Sequence, residues 1–290
     1  MLGPGMPTTD SDPWGAHASV YDRLFAPLTG YIGRSMLAIA EARIPTDAHV
    51  LDVACGSGAF LIPVVERAQR RRHAGGRDMV TGCDYSPGMV ELARRRLAGL
   101  SVEPDEFECQ VQDGQALGYD DRSYDAVFSC FGIFLFEDRH AGWREAARVL
   151  RPGGVFATTS WSAPEQNEMF RAQFTPVMEA LPARLTEGMT PPGWMVVAEP
   201  DALRSEVAAT GFEDVDVRNF RTGFAIPDAE TAWGAMVDNP AAGAVLRQCD
   251  ERELETVKSR VIDSLQDRAG GPGRPIVLEA SCNILVARRA

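Results

Sequence analysis

The stretch Val50-Leu51-Asp52-Val53-Ala54-Cys55-Gly56-Ser57-Gly58 decides how this chain folds. Its first half is rich in Val and Leu, as a buried strand requires, and its second half is a loop of small residues. An amphipathic run to Arg72 follows and stops at Gly75-Gly76, a pair suited to a helix C-terminus. Strand, glycine loop and helix therefore succeed one another between His49 and Arg72, with the strand over His49 to Ala54 and the helix from about Gly58. Glycines at such a turn let the backbone pass close to a ligand, and the helix N-terminus offers unpaired N–H groups.

The same alternation continues outward. A second strand covers Met79 to Cys83, and Ser86-Pro87 supplies a cap and a first-turn proline for a helix reaching Leu97. Phe107 to Val111 and Tyr124 to Cys130 read as strands, and Arg139 to Leu150 as a helix. The breaker Arg151-Pro152-Gly153-Gly154 then precedes a strand from Val155 to Ser160. Strands alternating with helices favour a parallel sheet covered by helices. Before this region, Tyr21, Leu24, Phe25 and Leu28 recur at helical spacing up to the break at Pro45. After Trp161 the pattern loosens into a Met-, Phe- and Trp-rich stretch with several prolines. A helix near Asp201 to Thr210 and a strand near Phe212 to Phe220 come next, and a last strand over Ile276 to Val286 is expected to pair beside it.

The 290 residues are 45% hydrophobic and 24% charged, the balance of a folded globular chain. No run of about eighteen apolar residues occurs, so no membrane span is expected. The formal net charge of -12 argues against nucleic acid as a partner, because phosphate binding relies on clustered cations. Arg70-Arg71-Arg72-His73 and Arg94-Arg95-Arg96 are read as solvated helix ends, where cations complement the dipole. The six cysteines lack zinc-site spacing, so no metal is expected, and their scatter through apolar runs suits a reducing, cytoplasmic setting.

The glycine loop alone could serve any nucleotide-like cofactor, or only a steric need of the turn. Two acids bias the choice. Asp84 closes the second strand 26 residues after Gly58 (84 − 58), near where a ribose-binding carboxylate belongs. Asp113 follows the third strand, where it could accept from an adenine amino group. A dinucleotide fingerprint needs another glycine three positions after the second, and Leu61 stands there.

Val50 to Gly58 resembles the first motif of class I S-adenosylmethionine (SAM)-dependent methyltransferases. Cys83-Asp84-Tyr85-Ser86-Pro87-Gly88-Met89, Tyr124-Asp125-Ala126-Val127 and Arg148 to Gly154 are similar to later motifs of the same family. The match covers roughly residues 49 to 160 and is nearest to the branch of ubiquinone and menaquinone biosynthesis methyltransferases. The resemblance implies a Rossmann-like α/β fold: a seven-stranded, mostly parallel sheet with helices on both faces and a helical cap. It implies SAM as cofactor, with Asp52, Ala54, Gly56, Ser57 and Gly58 near its methionine part. It further implies Asp84 on the ribose, Tyr85 and Met89 beside the adenine, Asp113 and Gly114 at the adenine edge, and Ser129 or Cys130 near the sulfur. Tyr21 resembles an N-terminal tyrosine that reaches the cofactor in related enzymes. Ala54 stands where the family usually carries glycine.

Domain boundaries follow: a disordered leader over 1–13, a helical cap over 14–47, the SAM-binding core over 48–160, a substrate-cap insertion over 161–211, and sheet completion over 212–290 with a helical insertion near 227–275. The acceptor surface is assigned to the N-terminal helix, the loop Phe131 to Phe136 and the aromatic stretch after Trp161. An apolar surface of this kind suits a hydrophobic small molecule such as a quinone or polyketide. A general base is needed only for a protonated nucleophile, and His140 and His17 are the candidates. A protein or nucleic-acid acceptor, or a pocket used for a non-methylating reaction, stays open, as does a homodimer.

Overall fold

The computed structural model of the chain describes residues 12–100, 107–187 and 192–290. Among these, seven strands form one sheet: β1 (His49–Val53), β2 (Met79–Asp84), β3 (Phe107–Val111), β4 (Tyr124–Ser129), β5 (Leu150–Trp161), β6 (Phe212–Ile226) and β7 (Ile276–Arg289). Their spatial order is β3-β2-β1-β4-β5-β7-β6, and only β7 runs against its neighbours. Val50, Leu51 and Val53 of β1 are at most 1% exposed, as expected of a central parallel strand covered on both faces. Each such side chain contributes about 1.5–3 kcal/mol by leaving water.

The N-terminal cap comprises α1 (Pro13–Ala16), α2 (Ala18–Leu24) and α3 (Ala26–Ala40). The helices α4 (Leu61–His73) and α5 (Pro87–Ala98) join β1 to β2 and β2 to β3, and α6 (Arg139–Val149) joins β4 to β5. The first two connections step one way from β1 and the third steps the other way. Right-handed crossovers therefore put α4 and α5 on one face and α6 on the other. The direction reverses between β1 and β4, and it is outside the carboxyl ends of strands at such a reversal that open α/β sheets place their ligand crevice.

Between β5 and β6 lie α7 (Glu168–Ala180), α8 (Ala183–Thr186) and α9 (Pro200–Ala208). Between β6 and β7 lie α10 (Ala229–Asp238), α11 (Pro240–Leu246) and α12 (Glu251–Ala269), the last with a full capping box between Asp250 and Glu253. No helix among the described residues is long and apolar enough to cross a membrane.

Several expected boundaries shift for identifiable reasons. The helix after the glycine loop starts at Leu61 and not Gly58, because Gly58 has φ +81°, outside helical space. Strand β5 begins at Leu150, five residues early. Its pairing with β4 jumps from Tyr124–Leu150 to Ala126–Val155, so the Arg-Pro-Gly-Gly breaker is a bulge inside the strand. The last two strands extend to Ile226 and Arg289 as one antiparallel ribbon. Polar Asn219, Arg221 and Thr222 on the sheet's edge hid that extension. Residues 1–11 of the expected leader lie outside the described residues; Asp12 caps α1 and Pro13 opens it.

Candidate cofactor and acceptor site

The glycine loop and the end of β2 are held together by one carboxylate. Asp84 Oδ2 accepts from Gly56 N at 2.8 Å, and its Oδ1 accepts from Ser86 N at 2.9 Å. Ser86 in turn caps α5 by accepting from Met89 N at 3.0 Å, which leaves Met89 buried in the first turn, while Tyr85 is 37% exposed. Burial pushes the Asp84 carboxyl up to about 6, against the downward pull of the Ser86 and Gly56 N–H groups. Asp84 is thus fixed in orientation and keeps lone pairs for further donors.

Asp52, two residues before the loop, is 1% exposed, and neither of its carboxylate oxygens has a hydrogen-bond partner among the described residues. Burial, then the charges of Cys109 and Asp84, raise its carboxyl well above the ordinary range. A buried carboxylate without a partner is costly and marks a place where a donor is missing.

Backbone strain gathers at the two strand ends beside the crevice. Ala54 after β1 has φ +58° and Phe131 after β4 has φ +57°, both in the left-handed region that penalises residues with a Cβ. Ala54 keeps the conformation of the glycine it replaces. Its methyl group packs against Gly132, where a side-chain carbon would collide with Ala54 Cβ and lie 2.7 Å from Ser129 Oγ. The extra methyl at 54 is therefore matched by the absence of one at 132.

The remaining predicted residues lie just after β3, at the end of β4 and on α2. Asp113 turns its own loop, accepting from Gln115 N at 2.9 Å, and Gly114 is covered so closely by the Phe136 ring that a side chain there would collide with it. Ser129, fully buried, accepts from Ile133 N at 3.0 Å, and Cys130 Sγ donates to Thr29 O at 3.4 Å, tying the β4 loop to α3. Tyr21 of α2 shares a side-chain hydrogen bond with Thr29 and feels the charges of Cys130 and Asp84. Burial pushes its phenol up to about 12, so it stays neutral and able to donate.

The two histidines part company. His17 lines a small crevice with Trp14, Tyr21 and Phe25. His140 stands at the start of α6, 3.4 Å from Glu206 of α9 and edge-on to Trp143, and is not brought to the glycine loop by these contacts.

The three segments assigned to the acceptor surface form two aromatic clusters. Phe131 of the β4 loop stacks on Trp161 at 4.1 Å; Phe170 meets Trp161 edge-on and stacks on Trp194 at 5.4 Å. This cluster joins the loop to the insertion after β5. The N-terminal helices make the second, from Tyr21 through Phe25 to Phe224 of β6. Leu135, Phe174, Met178 and Val196 leave apolar surface exposed on the β4 loop and the insertion.

Two site residues escaped the sequence reading. Asp12 Oδ2 accepts from Ser86 Oγ at 2.7 Å and Gly88 N at 3.0 Å, fastening α1 to the loop that carries Asp84. The Asp12-Pro13 pair is a cap signature that could have placed it in the fold. Arg96 was read as part of a solvated helix end. It instead donates from Nη1 to Ser57 O at 3.0 Å and Ser57 Oγ at 3.1 Å, and pairs through Nη2 with Asp22. Only its phase beside the buried stripe Val90, Ala93 and Leu97 hinted at this.

A family model described as a methyltransferase domain matches residues 50–154. The chain is 33% identical over 183 residues to a demethylmenaquinone methyltransferase of Deinococcus radiodurans, covering 60% of this chain and 72% of that one. It is 31% identical over 183 residues to the aklanonic acid methyltransferase DauC of a Streptomyces species, covering 60% and 76%. Among solved structures, the YcgJ protein of Bacillus subtilis shares the fold, with a TM-score of 0.55 at 17% identity over 89% of this chain and 98% of that one. With a glycine loop and acids at the strand ends where the motifs require them, the chain belongs to the class I SAM-dependent methyltransferase family.

Proposed function

We propose that this enzyme transfers the methyl group of SAM to an oxygen, carbon or nitrogen atom of a hydrophobic small molecule of quinone, polyketide or other secondary-metabolite type. The observation that carries the cofactor assignment is the buried, unpartnered carboxylate of Asp52, close enough to Asp84 to feel its charge. It fits the ammonium group of SAM's methionine part, which supplies the donors that Asp52 lacks. Asp52, Ala54, Gly56, Ser57 and Gly58 hold the methionine part in this reading. Asp84 accepts from the ribose hydroxyls, with its orientation already set by Gly56 and Ser86. Tyr85, Met89, Asp113 and Gly114 serve the adenine; Ser129, Cys130 and Tyr21 border the reacting end. When bound, SAM supplies an activated methyl group on a cationic sulfur, so the hard chemistry is the cofactor's.

The protein's part is to orient the acceptor and exclude water. The Phe131–Trp161–Phe170–Trp194 cluster, with exposed apolar residues beside it, supports a flat, apolar acceptor, as do the acceptors named in both relatives. Where the acceptor atom is protonated, His17 beside Tyr21 is the better placed of the two histidines, since His140 is engaged by Glu206. The net charge of -12 supports an acceptor other than nucleic acid, and six free cysteines support a reducing, cytoplasmic setting. Incubation with labelled SAM and a panel of phenols, quinones and polyketide-like acids, read by mass spectrometry, tests the proposal. One acceptor gaining a methylene's mass is the expected result; label appearing only on protein or nucleic acid would overturn the small-molecule reading.

A further inference from the structure

The three arginines ending α5 have different surroundings, and the differences matter. Arg94 donates from Nε and Nη2 to Cys109 O at 3.0 and 2.6 Å, binding the helix to β3. Arg95 is exposed. Arg96 turns the other way, into the glycine loop. Its side chain is 22% exposed, that of Asp22 is 24%, and Ser57 is 1% exposed.

The loop is shaped by α5 at two points. A Cβ at Gly58 would come within 3.2 Å of the Ala93 backbone, so the helix presses directly on the loop. One turn later, Arg96 Nη1 holds both the carbonyl and the hydroxyl of Ser57. Gly58 N donates to Cys55 O at 3.0 Å, so the peptide between Ser57 and Gly58 is fixed at its C=O by Arg96 and at its N–H by the loop itself. The flanking residues Gly56 and Gly58, at φ +54° and +81°, offer little intrinsic stiffness. Arg96 supplies the constraint that the sequence of the loop does not.

The second arm of the guanidinium pairs with Asp22, one residue after Tyr21 on the N-terminal cap. The same cap is fastened independently at its start, where Asp12 accepts from Ser86 Oγ and Gly88 N. There a side chain at Gly88 would collide with the Gly15 backbone, and one at Gly15 with the Asp12 carboxylate. The cap thus touches both loops that carry the cofactor residues, and Arg96 is shared between cap and loop.

We propose that Arg96 is a positioning residue that couples the N-terminal cap to the glycine loop, so that docking the cap and ordering the loop for SAM are one event. The inference rests on the SAM reading given above. A guanidinium suits the role because one planar fork reaches three acceptors on two elements; a lysine is a single point charge and cannot hold both sides.

The test is a double-variant cycle on Arg96→Ala and Asp22→Asn, with Arg96→Lys as the conservative variant. SAM affinity and S-adenosylhomocysteine release are measured by calorimetry and stopped flow, and Tm is measured in parallel. Arg96→Ala and Arg96→Lys are each expected to weaken SAM roughly tenfold, the size of one charge-assisted hydrogen bond at the low end of its range. Asp22→Asn alone is expected to speed product release severalfold, with Tm within about 2 °C of wild type. In the Arg96→Ala background the same change should have no further effect on SAM affinity or release, because the coupling has already been lost. Additive effects of the two variants, or full rescue by Arg96→Lys, would overturn the proposal. If Arg96→Ala fails to fold, the cycle is run on Arg96→Lys with the same two outcomes. A wild-type protein that folds but binds no SAM removes the underlying cofactor reading, which is a distinguishable failure.

Discussion

Replacing Gly132 by alanine strikes the contact between the ends of β1 and β4. A Cβ there collides with the methyl group of Ala54 and lies 2.7 Å from Ser129 Oγ and 3.2 Å from Val53 O. The backbone of Gly132, at φ −108°, is open to alanine, so the penalty is steric and not conformational. Overpacking of this kind costs about 1–3 kcal/mol, which lowers Tm by roughly 2–6 °C in a chain of this size. The companion change Ala54→Gly removes a left-handed residue that costs about 1–2 kcal/mol. It also removes a partly buried methyl worth at most about 0.8 kcal/mol and adds about 0.5–1 kcal/mol of glycine entropy, so alone it is nearly neutral. Together the two changes restore the number of methyl groups at the contact. Gly132→Ala should therefore cost at least about 1 kcal/mol less in the Ala54→Gly background than in wild type. Urea unfolding of the four proteins measures this, and calorimetry with SAM should show the binding defect of Gly132→Ala relieved in parallel. Strictly additive stabilities, within about 0.5 kcal/mol, would refute the pairing of Ala54 with Gly132.

Further outcomes follow from the buried acids and from one buried cation. Folded Asp84 keeps its proton up to about 6, whereas an unfolded aspartate releases it near 4, so its contribution to stability of the free protein falls as pH rises through that window. SAM needs the ionised form, so its affinity should rise with pH around a midpoint near 6 and lose that dependence in Asp84→Asn; an unchanged pH profile in the variant would remove Asp84 from the site. Asp52→Asn relieves a buried, unpartnered charge and should raise the Tm of the free protein by roughly 2 °C or more while weakening SAM; a variant both less stable and unimpaired in binding would contradict the assignment. Arg67, 1% exposed, pairs with buried Asp78 and with Glu41 far from the site, so Arg67→Ala should cost about 3–5 kcal/mol in unfolding experiments without specific loss of SAM affinity in the folded fraction; a cost below about 1 kcal/mol would show that Asp78 finds another partner.

The sheet was legible because its strands are short apolar runs bounded by turn signals, as the fully buried Val50 to Val53 and the partly buried Met79 to Asp84 illustrate. The acids Asp84 and Asp113 were legible because strand ends are fixed points in such a fold. What could not be read were features that depend on distant segments meeting. Asp12 lies 74 positions from Ser86, and Asp22 lies 74 positions from Arg96, and no local pattern joins either pair. The ribbon of β6 and β7 exceeded its expected length because polar Asn219, Arg221 and Thr222 interrupt the apolar run, although alternate burial continues past Phe220 to Phe224 and Ile226. Likewise, the sequence shows Ala54 only as a departure from the family's usual glycine. Its left-handed backbone and its fit against Gly132 emerge only when β1 and β4 lie side by side.

A SAM site built from the glycine loop and Asp84 is open to direct measurement. Calorimetric titration of SAM into the wild-type protein, Asp84→Ala and His73→Ala tests it most directly, since His73 is the exposed last residue of α4. Saturable binding to wild type, affinity reduced more than tenfold in Asp84→Ala, and no change in His73→Ala are expected. A folded wild-type protein that binds neither SAM nor S-adenosylhomocysteine, or equal effects of the two substitutions, would contradict it.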